Sequence, residues 1–444
     1  MRSLTLAAAL LAVTSLAPLA AAQITVGPAG SGFQFTEIQD AIDFAPPNSI
    51  ILVYPGDYSK PLYIDKSLTI IGDTINAWTP TMLQSAGTTP TAMVEITGID
   101  ALEEVRITGL RFKENPISTH ALYIHDCEGR VVVNDIESAP QVGPFFTGPV
   151  KAGVVVHDSD AVVGDKWDFV RVLLSNQAIS SFSVTLDIQR SSLWLSNSVL
   201  ASPGNTPFLS PGQSPAGIRA VDSHLSLSNC NIGGGAGGIG GDIPFFIVYA
   251  KAGPAINAKG STLRVAGGPL NVLKAGFGTS NENGNSAVIL EGASSLDRAA
   301  DVSIVPTQIG FTGPAIAMLG GSTTITRPHR WPNIELSAQR VSPGLSATMN
   351  TRGNPLSLHL LFYATQMQLP FDEPLLQGPI LLDIGAVVQL AEFATDASGN
   401  GSFGFALPPI PQLVGFGVHF QTLELGAAGA FISNAALLTI TNVN

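Results

Sequence analysis

The chain is predicted to be an all-β solenoid with a short N-terminal capping helix and a C-terminal antiparallel β-sandwich, and three observations lead there. The first is a recurring stretch, clearest from Pro215 to Ile232 (P-A-G-I-R-A-V-D-S-H-L-S-L-S-N-C-N-I). Segments starting at Ala121, Ala152, Val184, Gly253 and Gly313 fall into the same pattern. They repeat every roughly 31 to 38 residues, a period of stacked repeat architectures. The second is the form of each copy: an alternating strand, a turn with Ser or another small residue, and a second alternating strand such as Leu225-Ser-Leu227. No copy can bury its apolar face alone, so the copies must stack. The third is composition: 46 Gly, 31 Pro and only 12% charged residues among 444 favour many short strands over helices.

The chain in order begins with Met1-Arg2, an apolar run from Leu4 to Leu19 and Ala20-Ala21-Ala22. These are the charged, apolar and small-residue parts of a secretory signal peptide over 1–22, with a mature start at Gln23. The run is short for a membrane anchor, so a secreted or cell-surface protein that does not span the membrane is expected. A formal net charge of −12, with no basic run, argues against nucleic acid as a partner.

Next, Thr36 with Gln39 reads as a capping box, Ile38, Ala41, Ile42 and Ala45 as one apolar helix face, and Pro46-Pro47 as the stop. The one-sided helix suits a lid over the first layer of a solenoid. Strands Ile50–Tyr58 and Leu62–Gly72 follow, the first broken by Pro55-Gly56. The run from Val26 to Gly72, with its F-T-x-I-Q-x-A-I-D-x-A-P helix, P-G-x-Y turn and D-K-S-L-T-I-I-G strand, resembles the N-terminal segment of pectin-lyase-like proteins. That resemblance implies a right-handed parallel β-helix, here spanning 23–340. It also implies a superfamily that holds pectin methylesterases, pectate lyases and polygalacturonases beside many non-catalytic surface proteins.

Within the repeats, Leu122 and Ile124, Val154 and Val156, Leu186 and Ile188, and Ile256 and Ala258 should point inward in stacked columns, because strand side chains alternate. Between repeats lie Pro-, Gly- and Ser-rich loops: Ala139 to Pro149, Ser202 to Ser214 and the glycine run Gly233 to Gly241. The pattern changes near Val341. From 341 to 444, Pro355 to Thr365, Ile380 to Thr395, Gly401 to Leu407, Val414 to Leu425 and Ala435 to Thr441 read as longer strands of a sandwich. Two cysteines, Cys127 and Cys230, fall three layers apart, about 14 Å, which is beyond a disulfide. Both are expected as buried thiols.

The candidate chemistry centres on His125, Asp126, His157 and Asp158, one repeat apart, with the histidines facing outward because Ile124 and Val156 face in. Two imidazoles beside two carboxylates supply a general base and acid or a metal site. Asp before a small residue is equally what a turn selects. Family motifs do not decide between these. Gly56-Asp57-Tyr58-Ser59-Lys60 matches the start of the esterase G-x-Y-x-E motif but has Lys60 in place of Glu, and no adjacent Asp pair exists for a polygalacturonase. Arg327-Pro328-His329-Arg330 departs in spacing from the lyase R-x-P-x-x-R element, so no family catalytic residue is carried over.

Weaker candidates are Asp396-Ala-Ser-Gly-Asn-Gly as half a calcium loop or a hairpin turn, and Arg106, Arg111 and Lys113 with Glu103, Glu104 and Glu114 as a uronate grip or a solvated face. Trp167, Trp194, Trp331, Tyr123 and Tyr249 are candidate sugar-stacking rings. The leading expectation is a non-catalytic protein binding polysaccharide or another surface component. The alternative is a lyase, hydrolase or esterase on a uronate polymer. No cofactor or metal is assigned.

Overall fold

A computed structural model describes residues 23–73, 81–83, 92–113, 120–138, 152–170, 184–202, 216–235, 252–266, 272–276, 285–307, 313–372, 376–427 and 429–441. The expected signal segment, most of the three Pro-, Gly- and Ser-rich loops, Glu114 and Tyr249 lie outside them. The regular structure of the described residues is nearly all strand, with one α-helix, α1 (Ile38–Phe44). No helix among the described residues is long and apolar enough to cross a membrane.

Residues up to Arg327 form three ladders of parallel strands. Ladder A starts with Leu62–Ile64 and Ala92–Thr97, takes the first parts of the long strands His120–Ser138 and Val154–Val170, and continues through Leu186–Gln189, Ile218–Val221, Ile256–Lys259, Val288–Glu291 and Ile316–Met318. Ladder B runs from Gln23–Val26 through Ser49–Val53, Leu68–Gly72 and Glu104–Thr108 to Thr323–Arg327. Ladder C is the narrowest, from Asp57–Tyr58 to Ser303–Val305.

Alternation sets what faces in. The ladder A columns Leu122, Val154, Leu186, Ile218, Ile256 and Ile124, Val156, Ile188, Ala220, Ala258 are all at most 1% exposed, and they share one continuous apolar core with the inner faces of ladders B and C. The expected inward residues are all among them.

Corners between ladders need left-handed backbone, which Gly, Asp and Asn adopt at least cost. Between ladders A and B stand Gly98, Asp126, Asp158, Arg190, Asp222, Gly260, Gly292 and Gly320, all at φ between 47° and 65°. Between B and C stand Gly109, Asp135, Lys166, Asn197 and Asn229. After the first corner, Ser159, Ser191, Ser223, Ser261 and Ser294 stack inside: each backbone N–H from Ser159 to Ser261 donates to the next serine Oγ at 3.1 to 3.2 Å. This column satisfies buried groups that no strand pairing reaches.

Helix α1 buries Ile38, Ala41 and Ile42 against the start of the stack, as its apolar face predicts. The capping box does not form. Glu37 is the N-cap without a side-chain bond, and Gln39 Oε1 instead accepts the Tyr63 N–H at 2.7 Å. The helix lies where a rung before Leu62–Ile64 would be, so Gln39 serves the open edge of ladder A rather than its own helix end.

The last part has its own core, and it begins earlier than the sequence suggests. Asn333–Leu336 pairs antiparallel with Ser346–Arg352, which pairs with Asn400–Ala406. Ile334 and Leu336 belong to the second core with Met349, Leu361, Phe420 and Leu438. The change of architecture therefore falls between Arg327 and Asn333, not at 340/341. The alternation of Asn333–Leu336 differs too little from a repeat strand to mark it. The facing sheet holds Leu358–Ala364, Val388–Ala394, Gly417–Gly426 and Ala436–Ile440. The stretch expected as one strand from Ile380 to Thr395 is two, Pro379–Leu382 and Val388–Ala394, because Gly385 N–H and Ala386 N–H close a turn on Asp383.

These C-terminal sheets lie against the outer side of ladder B. Val414 covers Leu52 and Ile71, while Met367, Leu381, Ala435 and Leu437 cover Val132 and Val163. Ladder B strands are thus apolar on both faces where they are covered on both. The last rung stays open: Met318 and Ile325 are 50% and 53% exposed.

Candidate functional site

The outer face of ladder A gathers acids, bases and rings. One outward column reads Tyr63, Glu95, Tyr123, Val155, Asp187, Arg219, and the neighbouring one reads Thr97, His125, His157, Gln189. Register fixes these neighbours at one rung, about 4.8 Å.

His125 and His157 are paired in register, as the repeat spacing predicts. His125 Nδ1 lies 2.7 Å from Asp126 Oδ2, and Nε2 lies 3.2 Å from Glu95 Oε1. The Tyr123 ring stacks on His125 at 4.3 Å and meets His157 edge-on at 5.8 Å. Burial, with the carboxylates of Asp126, Glu95 and Asp158 nearby, raises the Tyr123 phenol above its ordinary value, so it stays a neutral donor.

The four sequence candidates do not form one set. Asp158 turns to Arg190, whose Nε and Nη2 donate to its two oxygens at 2.6 and 2.7 Å. The Arg190 bond holds the Asp158 carboxyl below its usual range. His157 faces Asp187 instead, with Nε2 3.7 Å from Oδ2, which is too long for a hydrogen bond. Asp187 is 7% exposed and accepts from Arg219 Nε at 2.8 Å. Burial pushes its carboxyl up, but His157 and Arg219 outweigh that and hold it low. Both Asp126 and Asp158 also occupy the left-handed corner positions, so the turn reading holds for their backbones.

Glu95, Asp187 and Arg219 escaped the sequence reading. Each sits two positions before the His125 and His157 column that drew attention, on the same outer face, and listing that face rung by rung would have found them. Among the described residues no group of three or more His, Cys, Asp or Glu is gathered as metal ligands.

The other candidates are dispersed. Trp167 is wholly buried inside the stack, its Nε1 donating to Val133 O at 2.8 Å; Trp331 is 3% exposed, and Trp194 packs under the C-terminal sheets. None is an open platform, because the corner after Asp165-Lys166 turns Trp167 inward and the C-terminal sheets cover the other two. Of the candidate rings among the described residues Tyr123 stands in the polar strip, where Tyr63, not singled out in the sequence, lies two rungs away. Arg106 is buried against Glu104 and His419, whereas Arg111 meets Glu137 at the surface, so no shared grip forms. Asp396 Oδ1 accepts from Ser398 and Asn400 N–H at 2.8 and 2.9 Å, a turn. Cys127 and Cys230 are both buried free thiols.

No family model matches the chain, and no curated protein matches it.

Proposed function

We propose that the three ladders wind as a right-handed parallel β-helix of the pectin-lyase-like kind, closed at its start by α1 and flanked by a C-terminal β-sandwich. In this reading the protein is exported, and the outer face of ladder A binds polysaccharide without turning it over.

The observation that carries this reading is the pairing along the strip. A glycoside hydrolase needs a carboxylic acid with a raised pKa to protonate the leaving oxygen. Here Asp158 and Asp187 are held low by Arg190, and by His157 with Arg219, while Glu95 and Asp126 flank His125. The strip therefore presents fixed charges and hydroxyls with Tyr63 and Tyr123 two rungs apart, about 10 Å. Tyr63 is 48% exposed, open to stack on a sugar. A chain lying along the stack would meet one row of such groups per rung.

One feature favours the alternative of a polysaccharide-cleaving enzyme: His125, flanked by two carboxylates, is oriented as a general base would be. Affinity electrophoresis through gels containing pectin, alginate or neutral polysaccharides tests the reading. Retardation by at least one acidic polymer, lost in a Tyr63→Ala/Tyr123→Ala double variant, is expected. Equal mobility in every gel would reject the binding role.

A further inference from the structure

The C-terminal sandwich leaves one strand edge open. In its smaller sheet Asn333–Leu336, Ser346–Arg352 and Asn400–Ala406 follow in that order, so Asn400–Ala406 is paired on one side only. Exposed edges are normally blunted by a charge, a proline or a bulge, because their unpaired backbone groups invite another strand. Three other edge strands of comparable length follow that rule. Thr323–Arg327 ends in Arg327, Met367–Asp372 carries Pro370 and Asp372, and Val388–Ala394 carries Glu392 and a bulge at Leu390. Asn400-Gly-Ser-Phe-Gly-Phe-Ala406 has none of these.

Alternation fixes which backbone groups face that edge. Leu407 N–H donates to Leu345 O and Gly353 N–H to Gly399 O, both at 2.9 Å, so Leu345/Leu407 and Gly353/Gly399 are bonded pairs. Every second pair of an antiparallel ladder is bonded, which makes Ala347/Phe405, Met349/Phe403 and Thr351/Gly401 bonded as well. The N–H and C=O of Ser402, Gly404 and Ala406 therefore point away from Ser346–Arg352, toward the open side. Asn400 points the same way, but Asp396 takes both its groups: Oδ1 accepts the Asn400 N–H at 2.9 Å, and Asp396 N–H donates to its carbonyl at 2.8 Å. The other three have no such partner among the described residues. Their side chains are small and exposed, and a Cβ at Gly404 would meet no atom within 4 Å.

These residues are symmetric about Gly404. Two copies of the strand, antiparallel across a two-fold axis at Gly404, set Gly404 against Gly404 and Ser402 against Ala406. The three N–H groups of each copy then donate to the three C=O groups of the other. On the inner side Phe403 falls opposite Phe405 of the second copy. That extends the ring row Phe393, Phe403, Phe405, whose centroids lie 6.5 and 6.2 Å apart, and covers Phe403, which a single chain buries only in part. The strand carries no charge, so two chains of net charge −12 meet there without like charges facing across the axis. The symmetry favours a second copy over an unrelated strand: free groups, small outer side chains and inner rings all map onto themselves.

We propose that the edge of Asn400–Ala406 is a homodimer interface, through which the smaller sheets of two copies join into one continuous sheet. It stands or falls without the polysaccharide reading of ladder A. One strand of seven residues, about 24 Å long, is a small contact, so the Kd falls in the micromolar range.

The test is sedimentation velocity of the whole protein from micromolar to near-millimolar concentration, which should show monomer passing to dimer and nothing larger. Because residue 402 of one copy faces 406 of the other, Ser402→Lys/Ala406→Lys and Ser402→Glu/Ala406→Glu each set like charges opposite one another. Each variant should stay monomeric with the circular dichroism of the wild type, and the two mixed should form a dimer that salt weakens. Gly404→Pro removes the donor at the axis but no bond to Ser346–Arg352, and should weaken association about tenfold or more. A measurement free of substitutions accompanies these: hydrogen exchange in the peptide 400–406 of the wild type should slow as the protein is concentrated. A wild type that stays monomeric or grows past a dimer, exchange in 400–406 independent of concentration, or folded charge variants that still dimerise alone would overturn the proposal.

Discussion

Gln339 Nε2 donates to Asp165 Oδ2 across the seam between the C-terminal sheets and ladder B, and Asp165 Oδ1 accepts from Ser196 and Asn197 on the next rung. This buried carboxyl is pushed up to about 6 from 3.8 by burial, against the bonds from Asn197 and Ser196 that favour its charged form. Between about pH 4 and 6 the unfolded chain has released this proton while the folded chain still holds it. The fold therefore loses stability as pH rises through that window, by about 3 kcal/mol. In an Asp165→Asn variant the new amide can donate to Gln339 Oε1, a buried acceptor without a partner among the described residues, once that side chain flips. Urea unfolding of both proteins should give a difference in favour of the variant that grows from pH 4 to 7. A difference independent of pH would rule out a titrating Asp165.

His419 works in the opposite direction. Burial, then Arg106, push it down to about 3 from 6.5, and Arg106 Nη2 lies 3.0 Å from its Nε2. Below about pH 6.5 the unfolded chain gains a proton that the folded chain refuses, so stability falls as pH falls toward 3. His419→Gln should flatten the acid limb of the stability profile. An unchanged acid limb would show that this histidine is charged in the fold.

Truncation separates the two cores. A fragment starting at 330 keeps Asn333–Leu336 and its partners in the second core, whereas one starting at 341 lacks them. The longer fragment should unfold cooperatively and the shorter one should be markedly less stable, read by circular dichroism on heating. Residues 23–328 alone expose Leu52, Ile71, Val132 and Val163, and should self-associate on size-exclusion chromatography. Equal stability of the two fragments would contradict the placement of Asn333–Leu336.

The cysteines replace members of serine columns. Cys127 stands in register with Ser159, and its Sγ lies 3.2 Å from His125 O just as Ser159 Oγ lies 2.8 Å from His157 O. Cys127→Ser should change stability by less than about 1 kcal/mol, while Ser191→Ala, which removes the acceptor for Ser159 N–H, should cost about 1 to 3 kcal/mol. Mass spectrometry of the unreduced protein should find two thiols. Burial raises both, Cys230 to about 12, so alkylation should need denaturant. Rapid alkylation of the native protein would contradict the packing.

Much of this was legible because repeats repeat. Spacing alone brought His125 beside His157 and put Leu122, Val154 and Leu186 in one column, since ladder pairing leaves little freedom in register. What a side chain meets on the outside is set by other segments, and there the sequence was weak. Trp194 reads as an outward ring, yet sheets more than a hundred residues later cover it. A signal existed: Val131-Val132-Val133 and Val162-Val163 are apolar on successive positions, which a strand half open to water would not be. Asp158 looked like the partner of His157 because it is adjacent in sequence, but a left-handed corner points it toward the next rung and Arg190.

The most direct test of the account is one titration carried through to products. Acidic polysaccharide is added to the wild type and to the His125→Gln/His157→Gln variant from about pH 5 to 9, and binding and chain cleavage or ester loss are followed in the same samples. Both proteins are expected to bind with similar affinity and neither to release product. Turnover by the wild type that disappears in the double variant would contradict this and make ladder A an active site.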